Sequence, residues 1–402
     1  MTSEWHEVPL RELVGYISKG IAPSYAEEAS ETTIRVLNQK CNRNFRISYG
    51  DSRLHDTLKK KVPPERYVKP DDILINSTGA GTAGRIAQIE DVPSATTIDG
   101  HMILIRSNGK VTQKFLGYAL KAHQWEVLQL DEGSTGQTEL NRDRLLDEIM
   151  INYPVSFDEQ NAIVGTLESI DRKLIVNEQL NDNLEQQAQA IYHERFETIS
   201  PNDLPSEWRI VTLGEVATIS SKSFNPLKEP EILLEHYSIP AFDEARFPVF
   251  ELSTSIKSNK FVIDASCFMI SKLNPTTKRV WKPYCLTGNA VCSTEFIVYK
   301  AKDKTITDFL YSVTDSNSFS DFMCSHVTGS TGSRQRTTPS DTLSYELILP
   351  SEDELAEFQS LVSPMYAQIR INAIENDRLK RLRDSLLPKL MSGEIDVSTI
   401  QL

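Results

Sequence analysis

A helical spacing of apolar residues occurs twice in the chain, near residues 158–196 and again near 353–391. In each stretch the apolar residues step by four and three, which is the seam of a coiled coil, and such a narrow stripe is buried only against another helix. At ~1.5 Å per residue, each helix would be on the order of 58 Å long. Two matching seams in one chain therefore predict that the two helices pack against each other. The predicted seam residues are Leu167, Leu174, Asn177, Asn181, Leu184 and Ile191 in the first copy, and Val362, Ile369, Asn372, Asn376, Leu379 and Leu386 in the second.

Two asparagines interrupt the middle of each seam, and they indicate the direction of pairing. A buried asparagine favours the register in which it meets another polar group. An antiparallel arrangement places Asn177 opposite Asn376 and Asn181 opposite Asn372. A parallel register would also pair asparagines, but it would crowd the two preceding domains at one end, so we favour the antiparallel one. Two ordinary amphipathic helices packed elsewhere are the alternative. Arg383 also falls on the seam, where we expect its head to reach water.

The segments in front of the two helices also repeat, which predicts a duplicated unit of roughly 200 residues. Glu4-Trp5-x-x-Val8-x-Leu10-x-Glu12 opens the first half, and Glu207-Trp208-x-x-Val211-x-Leu213-x-Glu215 opens the second. Short apolar runs in matching places predict buried strands. We expect an α+β fold with two similar globular domains and two long antiparallel helices. The predicted strands are 72–77, 101–106, 267–272 and 294–299, and the predicted segments are 1–155, 156–200, 201–350 and 351–402.

Composition narrows the class of protein. No apolar run approaches the ~18 residues of a membrane span, and the first residues lack the layout of a signal peptide. The five cysteines are odd in number and contain no C-x-x-C, which argues against a disulfide framework or a zinc site and favours a reducing cytoplasm. Of the net charge of −13, the two helical segments carry −6 and −3, so each globular segment has a net charge of only −2. The nearly neutral charge of the globular parts is therefore compatible with a basic face on each of them.

Enzyme motifs are weak in this sequence. Gly79-Ala-Gly81-Thr-Ala-Gly84 satisfies G-x-G-x-x-G after a predicted strand, but a dinucleotide site needs a helix to begin at the glycines. Here Arg85-Ile-Ala-Gln-Ile89 continues with strand-like alternation, so a glycine-rich hairpin is favoured. Its bare backbone could still approach a phosphate. The sequence contains no P-loop motif and no histidine spacing typical of a metal site, and we expect no catalytic residue and no bound metal.

Polar and basic clusters point to nucleic acid instead. Arginine and asparagine can form bidentate hydrogen bonds to guanine and adenine edges, and lysine neutralises phosphate. Such clusters recur in both halves against an acidic background, although a solvated charged face is the alternative for any single residue. The predicted DNA-binding residues are Lys40, Asn42, Arg43, Asn44, Arg46, Lys59, Lys60, Lys61, Ser77, Thr78, Thr82, Gln137 and Thr138, and then Lys272, Asn274, Thr276, Thr277, Lys278, Arg279, Lys282, Ser333, Arg334, Gln335 and Arg336.

Several stretches together are typical of one family. They are the Trp5 and Trp208 openings, the Gly-Ser-Thr-Gly tetrapeptides at 133–136 and 329–332, and Pro154-Val-Ser-Phe-Asp-Glu-Gln160. The most specific is Leu379-Lys-Arg-Leu-Arg-Asp-Ser-Leu-Leu-Pro-Lys-Leu-Met-Ser-Gly-Glu-Ile395. Over nearly its whole length, the chain resembles the specificity subunits of type I restriction–modification systems. It departs from the pattern where Asp353-Glu-Leu-Ala-Glu-Phe358 lacks the Gln-x-Ala-Ile of the first copy.

The resemblance implies a non-catalytic subunit with two target-recognition domains held apart by an antiparallel pair of helices. Each domain would read one half of a split, asymmetric site in double-stranded DNA. The helices would dock methyltransferase subunits, two in number, and restriction–translocase subunits would join them. S-adenosylmethionine, ATP and magnesium are expected only in those partners. A protein-binding scaffold without DNA readout and an enzyme that uses the Gly79–Gly84 loop are the other two classes considered.

Overall fold

The computed structural model describes residues 4–79, 81–132, 139–329 and 335–400. The chain forms two compact units, one of Met1–Lys173 with Leu379–Leu402 and one of Leu174–Arg378. Each long helix contributes residues to both units, so contacts group the chain differently from the four predicted segments, whose bounds stay a prediction. In the described part of the chain, no helix is both long and apolar enough to cross a membrane.

The first unit is built on an antiparallel sheet of four strands in the order β2-β11-β8-β9. Its central strand β8 (Ile73–Asn76) is buried along its whole length, as a continuous apolar run between two turns predicts. A second sheet has the order β10-β4-β7-β3, and β1 pairs with β14. The strands are β1 (Trp5–Pro9), β2 (Val14–Lys19), β3 (Tyr25–Ala26), β4 (Thr33–Leu37), β5 (Asn42–Arg43), β6 (Arg46–Ile47), β7 (Arg53–Asp56), β8 (Ile73–Asn76), β9 (Ile86–Gln88), β10 (Thr96–Ile98), β11 (Met102–Ser107), β12 (Asp131–Glu132), β13 (Glu139–Leu140) and β14 (Met150–Pro154), and the helices are α1 (Gln113–Ala122), α2 (Gln124–Val127) and α3 (Arg142–Glu148).

The core of the first unit joins its sheet and short helices to parts of both long helices, α4 (Phe157–Tyr192) and α9 (Glu352–Met391). Leu167 of α4 and Leu390 of α9 are fully buried in this core. Just after α9, Gly393 has a φ of +74°, and a Cβ there would lie 2.9 Å from the Trp5 ring. Only glycine fits this close, left-handed position. The opening tryptophan and the end of the second long helix therefore meet in one core.

The second unit repeats the plan. Its sheet order β16-β24-β21-β22 matches that of the first unit, and a second sheet has the order β17-β20-β23-β18-β19. The predicted duplication and the α+β class are confirmed. Its strands are β15 (Arg209–Thr212), β16 (Ala217–Ile219), β17 (Ser223–Phe224), β18 (Leu233–Tyr237), β19 (Val249–Leu252), β20 (Lys260–Val262), β21 (Cys267–Ser271), β22 (Val280–Trp281), β23 (Ala290–Ser293), β24 (Phe296–Ala301), β25 (Val327–Thr328), β26 (Arg336–Thr337) and β27 (Glu346–Leu349), and its helices are α5 (Leu213–Val216), α6 (Ile239–Ala245), α7 (Thr307–Thr314) and α8 (Asn317–Ser325).

Aromatic rings pack the long helices of the second unit against α7 and against Trp208, which precedes β15. Phe196, just after α4, lies 5.2 Å from Phe358 of α9, 5.4 Å from Phe309 and 5.6 Å from Trp208, measured between ring centroids. Edge-on contacts of this kind add stabilisation beyond the area they bury. Trp208 thus packs near the helix pair in its unit as Trp5 does in the other.

The antiparallel pairing predicted from the asparagines is confirmed within the second unit. Asn177 Nδ2 donates to Asn376 Oδ1 at 2.9 Å, and Asn372 Nδ2 donates to Asn181 Oδ1 at 2.8 Å. Asn177 is only 1% exposed, so its amide needs these partners. All predicted seam residues are buried or half-buried; Leu167, Leu174, Asn177, Val362, Asn372 and Asn376 are buried, and Asn181, Leu184, Ile191, Ile369, Leu379 and Leu386 are half-buried.

Arg383 departs from the prediction that its head would reach water. Its side chain is only 14% exposed, and its guanidinium donates to Asp171 Oδ1 at 3.0 Å and to Asp384. Asp171 also accepts from Lys121 Nζ at 3.0 Å and from the hydroxyl of Tyr118 at 2.9 Å. Burial alone would raise the pKa of Asp171, but Lys121 and Arg383 together hold it below its usual value. An ion-pair network thus ties both long helices to α1 within the first unit.

Replacing Asp171 with asparagine tests this network. The change leaves two largely buried cations without their shared carboxylate, which is expected to cost about 3 kcal/mol of unfolding free energy at pH 7. Because the folded-state pKa of Asp171 is lowered, its stabilisation is present above roughly pH 4 and is lost as pH falls through that lowered value. Denaturant unfolding at several pH values measures both effects.

Asp384→Asn is the matched control, because Asp384 also accepts from Arg383 but its side chain is 64% exposed. We expect it to change the unfolding free energy by less than about 1 kcal/mol. Equal effects of the two substitutions would show that Asp171 does not hold the network together.

Candidate nucleic-acid interface

The first predicted basic cluster forms a tight β-hairpin in the first unit. Strand β5 pairs with β6 across a two-residue turn, in which Asn44 has a φ of 53° and Phe45 a φ of 61°. Asparagine tolerates this left-handed conformation, which a tight hairpin turn requires. Phe45 packs towards the core, and Lys121 Nζ lies 5.0 Å from the centre of its ring. The hairpin therefore presents Arg43 and Asn44 to solvent beside the exposed Lys40, while Arg46 is half-buried.

The glycine-rich loop lies between β8 and β9, so the predicted hairpin is confirmed and the dinucleotide turn is not formed. Gly79 has a φ of +117°, and a Cβ there would lie 2.3 Å from Thr82 Oγ1 and 2.6 Å from Gln39 Oε1. A Cβ on Gly84, whose φ is +84°, would lie 2.9 Å from the carbonyl oxygen of Val127. Positive φ and close neighbours thus favour glycine at positions 79 and 84. The two glycines do not open a helix N-terminus.

Buried asparagines join this loop to the β5–β6 hairpin. Asn42 Nδ2 donates to Asn76 Oδ1 at 3.2 Å and to the carbonyl of Arg85 at 2.8 Å, and Asn76 Nδ2 donates to the carbonyl of Gln39 at 3.2 Å. Asn42 and Ser77, both predicted to bind DNA, are fully buried. Residues without exposed surface position the loop and do not reach a ligand. Thr78, by contrast, is half-buried and bonds to His101 Nδ1 at 2.7 Å.

Polar atoms without a hydrogen-bond partner among the described residues gather at the same place. They belong to Gln39, Asn42, Ser77 and Thr82, through Oε1, Oδ1, Oγ and Oγ1 in turn. Leaving a buried polar atom unpaired costs free energy, so these four atoms offset part of the stabilisation that the asparagine hydrogen bonds contribute. Gln39 was missed by sequence reasoning. Its only signal was its place directly before Lys40.

In the second unit, the turn after β21 meets the strand that follows the second Gly-Ser-Thr-Gly tetrapeptide. Asn274 N donates to the carbonyl of Gln335 at 2.9 Å, and Thr337 N donates to the carbonyl of Lys272 at 3.1 Å. Leu273 and Arg336 form an isolated bridge. In the first unit, Thr78 forms the corresponding bridge with Glu139, which follows the first tetrapeptide. Both units therefore place the turn after their central strand beside the same loop.

Several predicted cations of the second unit are already paired. Arg279 Nε donates to Asp243 at 2.6 Å, and Arg336 Nε donates to Glu295 at 2.9 Å. Lys282 pairs with Asp308, and Lys278 with Asp315 at 3.1 Å. Burial raises the pKa of Asp315 to about 6 against the opposing effect of Lys278. These four cations therefore carry less free charge than the sequence indicates. The other predicted residues of this unit that the structure describes are the cation Lys272, which forms no ion pair with a described carboxylate, and the neutral Asn274, Thr276, Thr277 and Gln335.

The lysine run of the first unit lies elsewhere. Lys59, Lys60 and Lys61 are exposed on the turn after β7, where Lys60 Nζ donates to the carbonyl of Ala22 at 2.8 Å and Lys59 Nζ lies 3.7 Å from Asp56. They bond to the β3–β7 side of the second sheet and not to the β5–β6 hairpin. Four predicted residues, Gln137, Thr138, Ser333 and Arg334, lie outside the described residues, as do both tetrapeptides except Gly329.

The described ranges hold no group of three or more His, Cys, Asp or Glu side chains arranged to bind a metal ion. The chemistry that these surfaces offer is hydrogen bonding and phosphate neutralisation by neutral and cationic side chains.

Comparisons with known proteins bear on this geometry. Residues 2–186 match the family model described as the type I restriction modification DNA specificity domain. The specificity subunit of the type I restriction enzyme MjaIX from Methanocaldococcus jannaschii is 24% identical over 384 residues, which cover 88% of this chain and 84% of that protein. The specificity subunit of the type I restriction enzyme HindI from Haemophilus influenzae is 33% identical over 93 residues, which cover 23% of this chain and 20% of that protein.

A solved structure shares the fold. The crystal structure of the type I restriction–modification S subunit from M. genitalium aligns with a TM-score of 0.59 at 16% identity, over 97% of this chain and 99% of that one. The resemblance seen in the Trp5 and Trp208 openings and in the end of the second helix is confirmed by these matches. Residues 2–186 therefore carry the type I restriction–modification specificity domain, and over most of its length the chain is similar to specificity subunits of such systems.

Proposed function

We propose that this chain reads a bipartite, asymmetric site in double-stranded DNA, one half with each unit, and positions methyltransferase and restriction subunits on it. The observation that carries the proposal is the repeated bridge, Thr78 to Glu139 and Leu273 to Arg336, which sets the same two loops side by side in both units. A shared scaffold with different side chains at the same place is what two unlike half-sites require.

The side chains offered by the two units support unlike readouts. The first unit exposes Arg43 and Asn44 on a hairpin narrow enough for a major groove, which admits a two-stranded β-ribbon. Arginine and asparagine suit guanine and adenine edges, and Lys40 beside them suits phosphate. The second unit instead offers Lys272 and Asn274 with threonines and a glutamine around them. Different donors and acceptors at matching loops would make the recognised site asymmetric.

Apolar side chains on the outer faces of the long helices support partner docking. In the first unit, Phe157 is 48% exposed and Leu382 is 41% exposed. In the second unit the exposed apolar side chains of the same two helices are those of Val176, Leu180, Leu361 and Ile371. Exposed apolar faces rimmed by charge are typical of protein interfaces. We assign these faces to two methyltransferase subunits. Adenine methylation would take place in the partner subunits, which would also bind S-adenosylmethionine, ATP and magnesium. The complex would act in the cytoplasm.

The direct experiment is to co-express the chain with a cognate methyltransferase subunit and map methylated adenines across the host genome. The proposal predicts a split motif with a fixed gap, present only when this chain is present. An assembled and active complex that modifies no defined motif, or modifies the same motif without this chain, would leave a protein scaffold without DNA readout as the better description.

Substitution of Arg43 tests the first unit. Arg43→Ala is expected to weaken binding of the cognate site by about 1–3 kcal/mol and to relax the motif at one half only, because a base contact is lost. Arg43→Lys should not restore the motif, since a lysine lacks the planar fork that reads a guanine. Fluorescence anisotropy at fixed salt and methylation mapping give the two readouts.

Lys59→Ala serves as the control on the lysine run away from the hairpin. It is expected to leave the motif unchanged and to lower affinity for all sequences alike if it has any effect. A motif that Arg43→Ala leaves intact in both halves would remove the hairpin from base recognition.

A further inference from the structure

A cleft in the second unit begins at β22, directly after the turn that follows β21. It is a cavity of about 270 Å³ enclosed by β22 and the residues after it, by α7 and by α9. A second cavity of about 390 Å³ shares Ala265, Lys282, Asp308 and Ser363 with the first, so the two are adjoining parts of one cleft. Clefts of this size hold small organic ligands.

The first cavity has aromatic walls. Trp281, Tyr284, Tyr311 and Tyr366 line it, and each is more than nine-tenths buried. The hydroxyl of Tyr284 donates to the carbonyl of Arg246 at 3.1 Å, and that of Tyr366 shares a hydrogen bond with Ser312 at 2.7 Å. Since these hydroxyls are engaged, the walls offer rings more than polar groups. A flat, largely apolar ring is the shape that suits them.

The charges of the cleft are unequally compensated. Arg246 pairs with Glu185 and Lys282 with Asp308, which neutralises four of the lining groups. The guanidinium of Arg370 donates only to the carbonyl of Tyr284, at 3.2 and 3.3 Å, within the described chain.

The second cavity adds a further unpaired cation. Lys304 lines it together with Thr305 and Thr307, whose hydroxyls donate to Asp303 and to the carbonyl of Lys304, and Lys304 forms no ion pair with a described carboxylate. The cleft thus joins an aromatic cavity to a polar one with surplus positive charge. A ligand that carries an anionic group on a flat ring would match both parts.

We propose that this cleft binds a mononucleotide. The heteroaromatic base occupies the aromatic cavity, where it packs against the rings of Trp281, Tyr284, Tyr311 and Tyr366. The phosphate occupies the second cavity near Lys304, and Arg370 adds positive charge at the first. Among the predicted DNA-binding residues that the structure describes, only Lys282 lines the cleft, so the site would make this subunit responsive to a small molecule in addition to DNA.

The test is calorimetric titration of the full chain with AMP, using adenosine and inorganic phosphate as fragments. We expect one AMP per chain, with adenosine weaker by about tenfold because it lacks the charged group. Trp281→Phe makes this ring wall smaller and should weaken both AMP and adenosine by about threefold. Lys304→Ala should weaken AMP by about tenfold and leave adenosine unchanged.

Lys302→Ala is the matched control, because Lys302 is exposed two residues away and donates to the carbonyl of Gly214. It should bind AMP as the unmodified chain does. Because Lys304 is exposed, its variant keeps the fold even if Trp281→Phe does not. Absence of AMP binding at millimolar concentration, or an AMP affinity that Lys304→Ala leaves unchanged, overturns the assignment. Protection of 281–284 and 363–370 by a methyltransferase subunit, without AMP binding, would make the cleft a protein interface instead.

Discussion

The hydrogen bonds between buried asparagines of the two long helices set the register on which the rest of the structure depends. A buried amide that loses its partner costs on the order of 1–3 kcal/mol, whereas leucines in the same seam would tolerate sliding by a heptad. Asn177 meets Asn376 and Asn372 meets Asn181 in only one antiparallel register. Both units contain part of each helix, so their cores form only when this register is kept. The polar residues in the seam therefore exchange some stability for a defined pairing.

Much of this could be predicted from the sequence, because it depends on periodicity and repetition. The seam, the asparagine pairs, the duplicated strands and the hairpin at Gly79 follow from local patterns. Contacts between residues far apart in sequence could not be predicted. Arg383 was expected in water because Asp171 and Lys121, 212 and 262 residues before it, leave no mark on its own helix. In the same way, Asp243 and Glu295 neutralise Arg279 and Arg336 from other elements of the second unit.

The candidate DNA site shows the same limit at the level of single residues. Composition indicated which segments carry donors and acceptors, and the structure brings two of them together in each unit. Composition does not distinguish a side chain that could contact a base from one that supports the loop, since Asn42 and Arg43 are neighbours with opposite exposure. Strand alternation explains this difference, because consecutive side chains point to opposite faces. Once the hairpin is known, Arg43 and Asn44 are the candidates for base contact, and Asn42 and Asn76 support the loop beneath them.

The proposed function requires that the paired helices set the gap between the two half-sites. Its most direct measurement is to delete one heptad from each helix, seven residues that keep the seam and the asparagine pairs, and to map methylated adenines in cells that also make the methyltransferase. The deletion shortens each helix by ~10 Å, about three base pairs of DNA. The account predicts that sites with the native gap are no longer modified, while any remaining motif keeps its half-site sequences with a changed gap. Modification of the native motif at its native gap would contradict it.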